Sequence, residues 1–122
     1  MEYLSNYWWL ILIIISIVIL ISRSFKNLKK TNNIKEFIDN NAVIIDVRSE
    51  SEFNSGNLEG SVNVPLKDLM YRVNEFEKDK KYITVCTVGM RAESAKKFFK
   101  KRGYQVVNGG RWSDLEDLRN NT

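Results

Sequence analysis

Histidine is missing from this chain of 122 residues, and cysteine occurs once, as Cys86. The first absence excludes Cys-His activation, so any lowering of the thiol's ordinary pKa has to come from backbone donors and arginine. The second excludes an intramolecular disulfide framework and fits a reducing compartment, where a free thiol persists. There is no internal repeat, no low-complexity tract and no sign of a second folded domain. With an apolar N-terminal stretch set aside, the remaining length suits one compact domain with one core. A broad basic face is missing too. The net charge is +4, but Arg23, Lys26, Lys29 and Lys30 stand against Glu2 alone within residues 1–33, so the excess is a juxtamembrane cluster and no nucleic-acid partner is expected.

From Tyr7 to Ile21 the chain is uncharged and interrupted only by Ser16. Tyr3 to Ser22 makes 20 residues, and about 20 residues at ~1.5 Å each match the hydrocarbon thickness of a bilayer. The stretch predicts one transmembrane helix. Tyr7, Trp8 and Trp9 lie at one end as interfacial aromatics do, and the four cations crowd the other. That polarity places the N-terminus outside and the following domain in the cytoplasm, in a single-pass protein of the cell inner membrane. A cleaved signal peptide would carry its positive charges on the opposite side and a small-residue cleavage site afterwards. A buried core helix would be amphipathic, whereas this one is apolar all round. The expected organisation is a transmembrane anchor at 1–22 that meets lipid through residues 4–22, a basic juxtamembrane linker at 23–33 drawn to anionic lipid, and one domain at 34–122.

Within that domain, Asn33 precedes Ile34, Phe37 and Ile38 on one helical face, and Asp39-Asn40-Asn41 ends the pattern, which predicts a short docking helix. Ala42 to Ile45 is a continuous apolar run of the kind buried on both faces of a parallel sheet, with Asp46 and Arg48 at its carboxyl end. Ser49 to Glu52 reads as a capping box opening a brief helix. Val62 to Pro65 predicts a short strand, 66–77 an amphipathic helix, and Tyr82 to Val85 the next strand. Arg91 to Arg102, stopped by Gly103, predicts a helix with lysines on its solvated face. Tyr104 to Val107 predicts a further strand, Asn108-Gly109-Gly110 a turn, and the stretch through Trp112, Leu115 and Leu118 a last helix. Strands alternating with helices predict an α/β fold around a central parallel β-sheet, with chemistry at the carboxyl edge of the strands.

Cys86 and Asp46 both lie at that edge. Cys86-Thr87-Val88-Gly89-Met90-Arg91 joins a strand to a helix, and Gly89 lets the backbone curl so that successive N–H groups and the helix dipole face an anion. Cys86 is the candidate nucleophile at the floor of this cradle, and Thr87, Val88, Gly89, Met90 and Arg91 are its candidate binding loop. Arg91 is expected to supply fixed positive charge and a fork of donors suited to a sulfur oxyanion or a persulfide. Asp46 and Arg48 read as a structural pair that fastens the region beside the cradle. Trp112 reads either as a core aromatic or as a pocket wall.

Here the chain resembles a single-domain rhodanese, from Ile34 to Leu118. Asp46-Val47-Arg48 followed by Glu52-Phe53 is similar to that family's D-V-R…E-F signature. Phe53 to Val64 follows its F-x-x-x-H-[I/L]-P-G-A-x-N-[I/V] pattern, Cys86 to Arg91 its C-x-x-G-x-R loop, and Asn108-Gly109-Gly110 with Trp112 its closing G-G…W element. The resemblance implies a rhodanese-like fold preceded by the transmembrane helix. It also implies sulfur transfer: Cys86 takes sulfane sulfur from a small donor such as thiosulfate, holds it as a persulfide, and passes it to a thiol or protein acceptor. It calls for no cofactor and no metal.

Two departures stand out. The family's His-[I/L]-Pro-Gly-Ala stands here as Asn57-Leu58-Glu59-Gly60-Ser61, with Asn57 expected as a hydrogen-bonding substitute for a scaffold histidine. Thr87 follows the cysteine where the family often carries a basic or bulky residue. Two other functions compete. A catalytically silent rhodanese-like binding module tethered at the membrane would keep the fold without the transfer. A cysteine phosphatase or arsenate reductase would need a longer enclosure than the four residues Thr87 to Met90, and a general acid that the sequence does not offer.

Overall fold

A computed structural model describes residues 2–121. Met1, at the start of the expected anchor, and Thr122, at the end of the expected domain, lie outside the described residues, as do the side chains of Tyr3 and Leu4. The chain forms two compact units, Met1–Asn32 and Asn33–Thr122.

The first unit contains α1 (Glu2–Asn6) and most of α2 (Trp8–Asp39). The apolar side chains from Tyr7 to Ile21 are exposed, and α2 is long and apolar enough to cross a membrane. Residues 23–33 are helical throughout, and Ile34, Phe37 and Ile38 belong to the last turns of the same helix. The expected start at Asn33 is therefore not a start. No Gly or Pro interrupts the run, and the Thr31 hydroxyl donates back to the Asn27 carbonyl at 3.0 Å instead of capping a new helix.

The end of α2 is where the sequence put it. Asn41 adopts a left-handed φ of 58°, and the Ala42 and Asn41 amides donate to the carbonyls of Phe37 and Ile38, each at 3.0 Å. This is the paired closure of a Schellman motif, with Asn in the glycine position.

Four parallel strands follow: β1 (Val43–Asp46), β2 (Val62–Asn63), β3 (Lys81–Cys86) and β4 (Gln105–Arg111), in the order β2-β1-β3-β4. Between them lie α3 (Glu50–Asn54), α4 (Leu66–Arg72) and α5 (Met90–Lys101), and α6 (Trp112–Asn120) closes the chain. Successive strand residues point to opposite faces, so the apolar runs serve two cores at once. Ile45, Tyr82, Cys86 and Val106 pack with Leu69, Ala92, Ala95 and Phe99 on the α4–α5 side. Ile44, Ile83 and Val85 pack with Ile34, Leu58 and Leu115 on the other.

Two elements differ from expectation. The helix predicted over 66–77 ends at Arg72 and tightens into a 3-10 turn over Val73–Glu75. The carbonyls of Val73 and Phe76 accept the Tyr104 hydroxyl at 2.9 and 3.0 Å, and that of Glu77 accepts the Tyr82 hydroxyl at 2.6 Å. These aromatic hydroxyls satisfy carbonyls at the helix end that would otherwise lack donors. The other difference is at Gly109-Gly110, which lie inside β4 rather than in a turn: Thr84 pairs with Asn108 and Val85 with Gly110, leaving Gly109 as the bulged residue. A Cβ on Gly109 would meet Ile83 Cγ2 at 2.7 Å and Val85 Cγ1 at 3.0 Å, so only glycine fits there.

Candidate active site

Cys86 is the last residue of β3, at the carboxyl edge of the sheet and one residue beyond Val85, the ladder partner of Asp46. Its side chain is fully buried in the α4–α5 core, and the Gly89 amide donates to its Sγ at 2.9 Å. Gly89 has a φ of 91° and is the N-cap of α5. That left-handed turn reverses the chain so that an amide faces back to the sulfur, and a Cβ at this position would lie only 3.4 Å from Gly110 Cα. The positive end of α5 opens at the same point. Thr87, Val88 and Met90 are exposed, while Gly89 and Arg91 are half-buried.

Arg91 is not left facing an open cradle. Its two terminal nitrogens donate to the two carboxylate oxygens of Glu52 at 2.7 and 2.9 Å, a bidentate pair. The Thr87 hydroxyl donates to the same carboxylate at 3.1 Å. The Arg91 fork holds the Glu52 carboxyl well below the usual carboxylate range, helped by Ser49 and Thr87, and the same pairing pushes the Arg91 guanidinium up. The charge expected to sit in the cradle is matched by a carboxylate that the sequence marked only as a capping residue and as part of a motif. Glu52 does fill that cap: its amide donates to Ser49 Oγ at 3.3 Å, and its Oε1 accepts from the Ser49 amide at 3.4 Å. One side chain thus closes the start of α3 and holds the loop of another element. Nothing in sequence spacing links positions 52 and 91.

Asn108, which the sequence marked only as part of a turn and of a motif, is the second such residue. Its Nδ2 donates to the Gly89 carbonyl at 3.2 Å and to Glu93 Oε2 at 2.9 Å, and its Oδ1 accepts the Gly110 amide at 2.7 Å. The Asn108 hydrogen bond, with Lys96 adding to it, holds the Glu93 carboxyl below its ordinary value. Loop, helix start and bulged strand are tied through one amide.

Asp46 and Arg48 form a buried pair, with Arg48 Nη2 at 2.7 Å from Asp46 Oδ2. The same guanidinium donates to the carbonyls of Glu52 and Gly56 at 3.2 and 2.7 Å and lies 5.0 Å from the centre of the Trp112 ring. The pair thus ties the end of β1 to α3 and to the loop after it. Trp112 packs with the core on the α6 side. Asn57 is exposed and donates to the Phe53 carbonyl at 2.9 Å, a contact within its own loop. Among the described residues there is no cluster of His, Cys, Asp or Glu suited to a metal ion.

Comparison with known proteins matches residues 26–111 to the rhodanese-like domain. The chain is 31% identical over 70 residues to the putative sulfurtransferase YtwF of Bacillus subtilis, covering 57% of this chain and 68% of that one. It is 32% identical over 69 residues to the putative sulfur carrier protein YrkF of the same organism, of whose length it spans only 37%, with 57% of this chain covered. The solved structure of a rhodanese-related protein from Thermoplasma volcanium superposes with a TM-score of 0.61 at 30% identity, covering 71% of this chain and 88% of that one. A family match of that extent, over a parallel sheet whose third strand delivers a cysteine to a glycine-turned loop, makes this chain a member of the rhodanese-like family.

Proposed function

We propose that this protein is a membrane-anchored sulfurtransferase in which Cys86 carries sulfane sulfur as a persulfide. The thiolate attacks the outer sulfur of a donor such as thiosulfate. A sulfur–sulfur bond forms to Cys86, the donor's own sulfur–sulfur bond breaks, and sulfite leaves with the electron pair. An acceptor thiolate then attacks the outer sulfur of the persulfide and restores the Cys86 thiolate. The observation that carries this reading is the Gly89 amide directed at Cys86 Sγ at 2.9 Å, because a donor so placed can receive the charge that shifts on the sulfur as bonds to it form and break. The sulfurtransferase and sulfur-carrier names of the relatives support small sulfur donors and thiol or protein acceptors as partners.

The length and apolar character of α2 support the anchor. On this reading residues 4–22 lie in the bilayer, 23–33 form a basic helical segment on the cytoplasmic side, and the domain from 34 onward works in the cytoplasm. Burial of Cys86 favours one rival, a silent binding module. On the transfer reading the loop from Thr87 to Met90 has to move aside for a donor to reach the sulfur.

The test uses the full chain in non-ionic detergent. Incubation with thiosulfate adds one sulfur atom to Cys86, seen by intact mass, and cyanide or a thiol removes it. Cys86→Ser gains nothing. A folded wild-type chain that takes no sulfur from any sulfane donor establishes the binding module instead.

A further inference from the structure

On the sulfur-transfer reading, a donor such as thiosulfate brings two negative charges to Cys86, and a cation has to receive them. The expected cation, Arg91, has its fork occupied by Glu52. Arg48 is paired with Asp46, and Lys96 with Glu93. We propose that Arg111, the ladder partner of Cys86 on β4, is the residue that receives the donor's anionic group.

Three observations carry this. First, Cys86 and Arg111 are register partners across the β3–β4 ladder, so their backbones lie about one strand spacing, ~4.8 Å, apart. Second, Arg111 is exposed and has no ion pair or side-chain hydrogen bond among the described residues. Its neighbour Gly110 lies against the loop without a side chain, its Cα 3.4 Å from where a Gly89 Cβ would stand. Third, Arg111 is the N-cap of α6, the end of a helix where a cation opposes the dipole. Helix stability does not account for an arginine there, whereas an anion beside Cys86 does. The guanidinium donates to the oxygens of the donor while the outer sulfur meets Sγ, and it remains paired with the anion that leaves.

The experiment compares wild type, Arg111→Gln and Arg111→Lys as full chains in non-ionic detergent. Two donors of different charge are used, thiosulfate as the dianion and benzenethiosulfonate as the monoanion. Arg111→Gln raises KM for thiosulfate about tenfold with kcat within about twofold, and raises KM for benzenethiosulfonate only about threefold. It also flattens the salt dependence of kcat/KM for thiosulfate, and Arg111→Lys restores most of the loss. Equal effects on the two donors, or a KM for thiosulfate unchanged in Arg111→Gln, overturn the assignment while leaving sulfur transfer intact. A wild-type chain that takes sulfur from neither donor removes both.

Discussion

At the scale of single residues, the site is defined by what glycine permits. Gly109 sits where its own Cβ would overlap Ile83 and Val85, so Gly109→Ala forces the bulge or its neighbours to shift. We expect a loss of about 1–3 kcal/mol, read as a lower thermal midpoint, and a fall in sulfur transfer, because Asn108 and Gly110 move with the bulge. An unchanged midpoint means that the strand accommodates the methyl. The sequence shows Gly109-Gly110 plainly and still leads to the wrong element. A Gly-Gly pair is a turn signal by composition, and only the partner strand reveals a close approach. The positions of Cys86 and of the Asp46–Arg48 pair could be read from the apolar runs that end beside them, and that of Gly89 from the turn into the next helix. Glu52 and Asn108 were not, since their roles depend on partners 39 and 19 positions away.

At the scale of elements, the Glu52 carboxylate binds the start of α3 to the loop before α5. The glutamate in the unfolded chain titrates at its ordinary value of about 4.3, and in the folded chain well below it. The lowered folded value means that the pair's contribution to stability is complete above the unfolded pKa and is lost as pH falls through the folded one. Glu52→Gln therefore melts below wild type at neutral pH, and the two curves approach each other in strong acid. The same substitution releases Arg91 and Thr87, so Cys86 is alkylated faster in native buffer than in wild type. A constant gap in melting across the acid range, or an unchanged alkylation rate, shows that the clamp does not hold the loop. Element boundaries were legible where local chemistry sets them, as in the capping box at Ser49 and the asparagine stop after α2. They were obscure where distant groups decide, as with the Tyr104 and Tyr82 hydroxyls that end the fourth helix early.

For the whole molecule, the two cores on opposite faces of the sheet explain why the apolar strand runs looked continuous rather than alternating. The parallel α/β architecture could be read for the same reason. The N-terminal helix was equally plain, since roughly 20 uncharged apolar residues have few uses. The proposed anchor role is tested by alkaline extraction of membranes, from which the chain is expected to remain in the pellet. Protease added to inverted vesicles is expected to digest the domain, and protease added to right-side-out vesicles to spare it. Release into the supernatant excludes the anchor, and the opposite protection pattern reverses the orientation.

The two borders of the sheet are unequal. On one side β2 is only two residues long, too brief a template for a neighbouring chain to extend. On the other, β4 is long enough to recruit a stranger's strand, but its ladder loses register at Gly109. The kink beside the Cys86 loop also spoils the flat rim along which sticky sheets polymerise. When copies of the chain are crowded together, that irregularity keeps neighbours from zipping into one sheet.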